Sequence, residues 1–290
     1  MVQVIGEIGG SSSRWAVLAA DGQVRIWPTR GERWPGFNPL SGDGDRFAGH
    51  LATLFKAGDP DALTATAVNI YGAGCGTEDR RTRMMAAIAG VWPGAQVEVA
   101  TDLLGAALGL ADGEPGLVLI LGTGMNAGYF DGTELSTPMP SLGYLLGDEG
   151  SGADIGRHLL QDGFHHRIPT DLHRRLFGEQ GPAVKEVLAR VHGSAHPARE
   201  LASYTASLAP HLEEPYAREL IQSRFQVLAE LLVRYFTPDQ RTRVLATGSV
   251  AFGFRSLLAT ILLDHGMTLS VVEADPLQGL VRYHRPQGSV

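Results

Sequence analysis

Residues 2–27 and 116–137 read alike: an apolar run, a Gly-rich turn, a second apolar run, an Asp-Gly pair and a third run. In the first stretch these are Val2 to Glu7, Gly9 to Ser13, Trp15 to Ala19, Asp21-Gly22 and Gln23 to Trp27. In the second they are Leu117 to Leu121, Gly122-Thr123-Gly124, Asn126 to Phe130, Asp131-Gly132 and Glu134 to Thr137. Apolar runs broken by Gly-rich and Asp-Gly turns predict a three-stranded antiparallel meander. Its recurrence, with the turns in the same order, predicts a duplicated lobe.

The segments after each meander extend the repeat. Downstream of the first come a helix (Arg46 to Lys56), a strand (Thr64 to Tyr71), a helix (Glu78 to Val91), a strand (Val97 to Ala100) and a helix opening near Asp102. Downstream of the second, a helical stretch from Ser151 to Phe236 precedes a strand (Val244 to Thr247), a helix (Phe252 to His265), a strand (Leu269 to Val272) and a helix (Leu277 to Tyr283). Strands alternating with helices predict an α/β fold with a duplicated βββαβα core and a helical insertion in the second lobe. A length of 290 residues suits two lobes. We place them at 1–110 and 111–274, with the C-terminal helix, 275–290, open to packing back on the first.

Composition narrows the function. Charged residues make up 19% and hydrophobic residues 44%, the balance of a globular enzyme rather than of a disordered chain. A net charge of −7 with no long Lys/Arg cluster argues against a nucleic-acid partner and for a small-molecule substrate. Cys75 is the one cysteine, so no disulfide forms within the chain and a thiolate metal site is not expected, which fits a cytoplasmic protein. No apolar run reaches the roughly 18 residues of a membrane span, and Val2 to Ile5 reads as a strand rather than a leader.

The turns carry the chemistry. Gly9-Gly10-Ser11-Ser12-Ser13 comes after a strand, so its N–H groups and hydroxyls can face a phosphate while the glycines allow close backbone approach. No Gly-Lys-Ser/Thr comes next, so this is not a Walker A loop. Glu7, at the end of the preceding strand, is placed to hold waters of a Mg²⁺ ion, which prefers oxygen ligands and keeps part of its hydration shell. Gly122-Thr123-Gly124-Met125-Asn126 offers the same groups from the second lobe. Either turn alone reads equally well as a plain hairpin. Two at equivalent places in repeated lobes read as a pair of phosphate-binding turns.

Thr101-Asp102 reads as a helix cap with an acid at the positive helix end. It also reads as an ionised carboxylate at the C-terminal edge of a strand, able to accept a hydroxyl proton. Gly147-Asp148-Glu149-Gly150-Ser151-Gly152 puts two carboxylates in a flexible loop with Ser151 as the helix N-cap, and Asp148 or Glu149 can accept hydrogen bonds from sugar hydroxyls. Gly248-Ser249 is a strand-to-helix turn against which a flat adenine ring could lie.

Together these segments resemble the acetate and sugar kinase, Hsp70 and actin superfamily, and within it the BadF/BadG/BcrA/BcrD-type ATPase and N-acetylglucosamine kinase branch. Glu7 to Ser13 resembles the first phosphate motif, Leu121 to Asn126 the second, and Gly248 to Ala251 the adenosine motif. Tyr71 to Cys75 and Asp102 to Ala107 resemble the connecting segments, and Ser141 to Gly152 is the most specific match. The resemblance implies two ribonuclease-H-like, actin-like ATPase lobes. It implies Asp102 as catalytic base, a sugar held by Asn38, Gly74, Asp102, Asn126, Asp148 and Glu149, and ATP held by Gly9, Gly10, Ser11, Ser12, Gly122, Thr123, Gly124, Gly248 and Ser249. Glu7 stands where Asp is commoner, Ser12 where relatives often carry Lys, and Leu142 where some carry an aromatic.

The implied activity is transfer of the γ-phosphate of MgATP to an amino sugar, N-acetylglucosamine first, with glucosamine and N-acetylmuramic acid as alternatives; Leu142 and Tyr144 are expected to supply apolar surface for the acetyl methyl. A reductase-activating ATPase of the same branch would need more thiolates than Cys75 supplies. A sugar sensor would need a DNA-binding module, for which the negative charge and a first strand at Val2 leave no expectation. The expected partners are a sugar and a nucleotide, with a homodimer left open.

Overall fold

The computed structural model describes every residue except Ser11, Arg30, Gly31, Ser41, Pro182 and 286–290. The chain divides into two compact units, Met1–Asp112 with Pro276–Val290, and Gly113–Asp275.

Unit 1 opens with β1 (Gln3–Ile8), β2 (Ser13–Leu18) and β3 (Val24–Trp27). It continues with α1 (Gly44–Gly58), β4 (Ala67–Gly72), α2 (Glu78–Ala89), β5 (Gln96–Thr101) and α3 (Asp102–Leu110). Its sheet has the order β3-β2-β1-β4-β5, antiparallel through the meander and parallel from β1 to β5. The two faces are sorted by strand alternation. Val4 and Ile8 of β1 join a core of Trp15, Trp34, Phe55 and Trp92. Ile5 points the other way, against Leu277, Leu280 and Val281 of α12 (Leu277–His284), which closes that face.

Unit 2 repeats the plan with β6 (Gly116–Leu121), β7 (Met125–Phe130) and β8 (Leu135–Ser136). The helical insertion comes next: α4 (Gly143–Leu146), α5 (Gly152–Phe164), α6 (Thr170–Phe177), α7 (Val184–Gly193), α8 (Pro197–Thr205) and α9 (Pro215–Tyr235). The unit ends with β9 (Arg243–Thr247), α10 (Ser249–Gly253), α11 (Arg255–Asp264) and β10 (Thr268–Glu273). The order β8-β7-β6-β9-β10 is that of unit 1 strand for strand. The duplicated βββαβα core is therefore a property of the structure, and the two lobes are of the ribonuclease-H-like, actin-like type. One face of this sheet buries Leu117, Leu119, Val244 and Ala246 against Phe225, Leu228 and Leu232 of α9 and Leu258 of α11.

The helix expected over Phe252 to His265 differs in detail. It begins at Ser249 and breaks at Phe254 (φ −113°, ψ 26°), giving α10 and α11. Among the described residues no helix is long and apolar enough to cross a membrane.

Within unit 1, α3 and α12 meet at two glycines. A Cβ on Gly279 would fall 1.6 Å from Gly109 O, and one on Gly109 would fall 2.7 Å from Pro276 O. No side chain fits there. Gly279→Ala should lower stability by about 1–3 kcal/mol through this overlap. Gly49→Ala, in the exposed interior of α1 where a Cβ meets nothing within 4 Å, should instead raise it by up to about 1 kcal/mol. Denaturant titration of the two variants checks both signs.

Candidate active site

The register at the ends of β1, β4 and β5 decides what unit 1 presents. Ile8 pairs with Gly72 and Gly72 with Thr101, so Gly9, Ala73 and Asp102 leave the sheet side by side. They do so at the C-terminal ends of parallel strands, where α/β sheets hold ligands. Gly9 N donates to Ser12 O at 2.9 Å, closing the first Gly-rich turn. Gly9 O accepts from Phe37 N at 3.1 Å and Ile8 O from Ala73 N at 2.8 Å, so two further loops are tied to that turn. One carries Asn38, whose Oδ1 accepts from Leu40 N at 2.9 Å. The other carries Gly74 at φ 77°, where a Cβ would sit 4.0 Å from Asn38 Oδ1. Gly10 and Ser12 lie half-buried in the same turn. Ser11 is outside the described residues. Glu7 stands opposite Arg14 in β2 and beside Tyr71 in β4.

Thr101 and Asp102 divide the two tasks that the sequence leaves superposed. Thr101 Oγ1 accepts from Leu104 N at 3.1 Å, which makes Thr101 the cap of α3. Asp102 Oδ1 accepts from Leu103 N at 2.9 Å. Burial pushes the Asp102 carboxyl up to about 6, against the lowering pull of its main-chain hydrogen bonds. Such a group is ionised at neutral pH yet more basic than an ordinary carboxylate, the condition for a general base.

In unit 2, Ile120 pairs with Thr247 and Thr247 with Glu273. Leu121-Gly122 and Gly248 therefore leave adjacent strands together. Gly248 has φ 112°, and a Cβ there would fall 2.5 Å from Leu121 O, so glycine is required. Thr123 and Ser249 are exposed beside this crossing. Gly122 N donates to Gly124 O at 3.0 Å, while Gly152 N donates to Gly122 O at 2.8 Å and Ala153 N to Thr123 O at 3.0 Å. The first turn of α5 is thus docked on the Gly122–Gly124 turn.

That docking places the acidic loop. Asp148 holds φ 59°, an uncommon conformation for a residue with a side chain. Its carboxylate lies against Gly124, where a Cβ would meet Oδ2 at 2.8 Å, and accepts from Met125 N. Burial raises its pKa, and the neighbouring charges of Glu149 and Asp154 add to the rise, with the Met125 N–H opposing. Behind it opens a small pocket. Its lining combines the polar Asn126, Ser141, Asp148 and Glu149 with Met139, Leu142, Leu231 and Tyr235. Tyr144, expected beside Leu142 in this pocket, packs its ring with Ala153, Leu160, Val187 and Leu201 in the helical insertion instead.

Under the loop is a buried carboxylate that the sequence reading passes over. Asp154 Oδ2 accepts from Gly150 N at 3.0 Å and Arg224 Nε at 2.8 Å, and Oδ1 accepts from Arg157 Nη2 at 2.8 Å. Burial alone would raise its pKa, but the hydrogen bonds from His158, Arg224 and Gly150 outweigh that and hold it well below the ordinary range. The sequence signal was present. Ser151 and Asp154 have the three-residue spacing of a capping pair, and Ser151 Oγ does accept from Asp154 N at 3.3 Å. Arg224, Leu231 and Tyr235 arrive from α9, some 70 residues downstream, and no local pattern announces them.

Each unit thus gathers its own groups. Unit 1 brings Gly9, Gly10, Ser12, Asn38, Gly74 and Asp102 to one sheet edge; unit 2 brings Gly122, Thr123, Gly124, Asn126, Asp148, Glu149, Gly248 and Ser249 to another. Exposed N–H groups and hydroxyls on Gly-rich turns suit anionic oxygens. Carboxylates and an amide suit hydroxyls.

No family model and no curated protein sequence matches the chain. Solved structures do. A candidate N-acetylglucosamine kinase from Porphyromonas gingivalis shares 32% identity over 97% of this chain and 98% of its own, with a TM-score of 0.85. A second, from Chromobacterium violaceum, shares 21% identity over 97% and 98%, with a TM-score of 0.71. A ROK family glucokinase from Streptomyces griseus, in complex with glucose and AMPPNP, shares 15% identity over 98% of each chain, with a TM-score of 0.54. The last two share the fold.

The electrostatics of Asp102 can be read directly. In a ¹³C NMR titration of the aspartate carboxyls, Asp102 should show a midpoint near 6, and Asp102→Asn should remove that transition. A midpoint in the usual carboxylate range would mean that water reaches the group freely.

Proposed function

The chain belongs to the N-acetylglucosamine kinase-like family of actin-like sugar kinases, and on that premise we propose that it transfers the γ-phosphate of ATP to a hydroxyl of N-acetylglucosamine. The observation that carries the proposal is Asp102: a carboxylate at the C-terminal end of a parallel strand, released from capping by Thr101 and raised to about 6 by burial. In phosphoryl transfer little covalent work falls to the protein, and catalysis rests on positioning and charge stabilisation. Asp102 accepts the proton of the attacking hydroxyl. The N–H groups of Gly10, Thr123 and Gly124, with the hydroxyls of Ser12 and Thr123, hold phosphate oxygens, while Gly9 and Gly122, whose own N–H groups close the two turns, keep the backbone free of side chains there. Gly248 and Ser249 hold the nucleoside end, with Gly248 packed against the backbone of Leu121 and Gly122.

Among the described residues no group of three His, Cys, Asp or Glu side chains could hold a metal unaided. Mg²⁺, which prefers oxygen ligands and keeps part of its hydration shell, would be held mainly by nucleotide phosphates and water, with Glu7 as the residue placed toward that shell. The ion, when bound, neutralises phosphate charge.

The choice of acceptor rests on the unit 2 cavity. A lining that combines Asn126, Asp148 and Glu149 with Met139, Leu142, Leu231 and Tyr235 suits a group with a polar link and an apolar end. An acetamido substituent has that form. Asn126 can both donate to and accept from it, and a pocket built around an amide discriminates against a sugar that lacks one.

Asp102→Asn should keep the fold and lower turnover by roughly 10² to 10⁴. In the wild-type chain the base must be ionised, so kcat/KM should be level above the Asp102 pKa of about 6 and fall as pH drops through it. Near-normal turnover in Asp102→Asn would leave Asp102 as a helix-end residue only. Among acceptors, N-acetylglucosamine should exceed glucose and glucosamine in kcat/KM. Faster use of glucosamine would mean that Asp148 or Glu149 pairs with its ammonium group.

A further inference from the structure

The loop from Gly147 to Gly152 is an improbable conformation in isolation. Asp148 sits at φ 59° and Gly150 at φ 77°, and the Asp148 carboxylate is buried rather than solvated. Backbone strain of this kind persists only where surrounding structure over-determines it. The main-chain bonds of Gly152 and Ala153 to the Gly122–Gly124 turn fix the end of the loop that enters α5. At the other end Gly147 N donates to Gly143 O at 2.8 Å, Ser151 N to Asp148 O at 3.0 Å and Met125 N to the Asp148 carboxylate, and the setting of Gly150 is left open.

The Asp154 cluster accounts for it. Asp154 Oδ2 accepts the Gly150 N–H at 3.0 Å, and the same oxygen takes Arg224 Nε at 2.8 Å from α9. Its other oxygen takes Arg157 Nη2 at 2.8 Å, and Arg157 Nη1 reaches back to Tyr144 O at 3.3 Å. One carboxylate therefore grips the segment on both sides of Asp148 and Glu149: at Gly150 directly, and at Tyr144 through Arg157. The Asp154 side chain is 1% exposed, so it touches no ligand itself. Leu228, one turn beyond Arg224 on α9, closes the space beside Gly150, where a Cβ would meet Leu228 Cδ2 at 3.1 Å.

We propose that Asp154, clamped by Arg157 and Arg224, is the positioning residue that sets the Gly147–Gly152 loop, and hence Asp148 and Glu149, for acceptor binding. This rests on the proposed function, in which the loop carries sugar contacts. An asparagine cannot substitute. It has the shape of Asp154 but one acceptor oxygen, and its NH₂ would face either Arg157 or the Gly150 and Arg224 donors.

The test uses the full chain with Asp154→Asn and, because the loss of a buried ionic cluster also costs stability, with Arg157→Gln as a second variant. Arg157 is 33% exposed, and its replacement leaves the Asp154–Arg224 pair in place. Assays well below the melting temperature should show kcat/KM for the sugar down by on the order of 10²-fold in Asp154→Asn, carried mainly by KM. The nucleotide KM should be unchanged, because Gly152 and Ala153 still hold the Gly122–Gly124 turn. Arg157→Gln should shift the sugar KM in the same direction by less. Hydrogen exchange, which needs no turnover, should show the Gly150 amide exchanging faster in Asp154→Asn while α5 amides at Leu159 and Leu160 stay protected. A lower melting temperature with unchanged sugar KM and unchanged Gly150 exchange would overturn the proposal and leave Asp154 as a stabilising residue only. Should the wild-type chain phosphorylate no sugar, the proposed function fails, and exchange at Gly150 still decides whether Asp154 holds the loop.

Discussion

Two main-chain hydrogen bonds, Gly152 N to Gly122 O at 2.8 Å and Ala153 N to Thr123 O at 3.0 Å, organise unit 2. They join a hairpin turn to the first turn of a helix, and each partner constrains the other. The turn's carbonyls satisfy N–H groups that a helix start leaves without partners, and the helix start fixes a turn that glycine alone would leave loose. The insertion then braces the helix. A Cβ on Gly156 would fall 1.9 Å from Leu201 O, so α5 and α8 run backbone to backbone, and Thr205 Oγ1 donates to Gly152 O at 2.7 Å. The helical insertion is thus support for the Gly122–Gly124 turn as well as a wall of the neighbouring cavity.

Two aspartates show how environment assigns work to one residue type. Asp102 is half-buried, its desolvation is offset only by main-chain hydrogen bonds, and its pKa rises. Asp154 is buried among two arginines, a histidine and a backbone N–H, and its pKa falls. The first has a proton affinity useful near neutrality, while the second is a fixed anion over any physiological range. Opposite environments for carboxylates are a familiar way of separating chemistry from scaffolding. The same separation occurs within one dipeptide at the start of α3, where Thr101 caps the helix and Asp102 is left for other duties.

The duplicated meander was legible because it depends on local signals: apolar alternation, Gly-rich turns and Asp-Gly pairs at matching places. The strand order β3-β2-β1-β4-β5 and its counterpart β8-β7-β6-β9-β10 agree closely with that reading. The break at Phe254 comes directly after Gly253, a poor helix former whose signal was overridden by the helix-compatible residues around it. Tyr144 was misread as well. Its nearness in sequence to Leu142 suggested a shared pocket, but α4 is only four residues long and turns Tyr144 into the insertion core. The α9 contributions, Arg224 to the clamp and Leu231 and Tyr235 to the cavity, depend on contacts between segments far apart in the chain, which residue patterns do not encode.

Whether phosphate goes to a sugar or to water is the decisive question. ³¹P NMR of the wild-type chain with MgATP and N-acetylglucosamine observes both products at once. Transfer predicts a new sugar phosphate monoester resonance growing in step with ADP, little inorganic phosphate, and negligible ATP loss when the sugar is omitted. Inorganic phosphate accumulating at the same rate with and without the sugar, and no monoester signal, would contradict it.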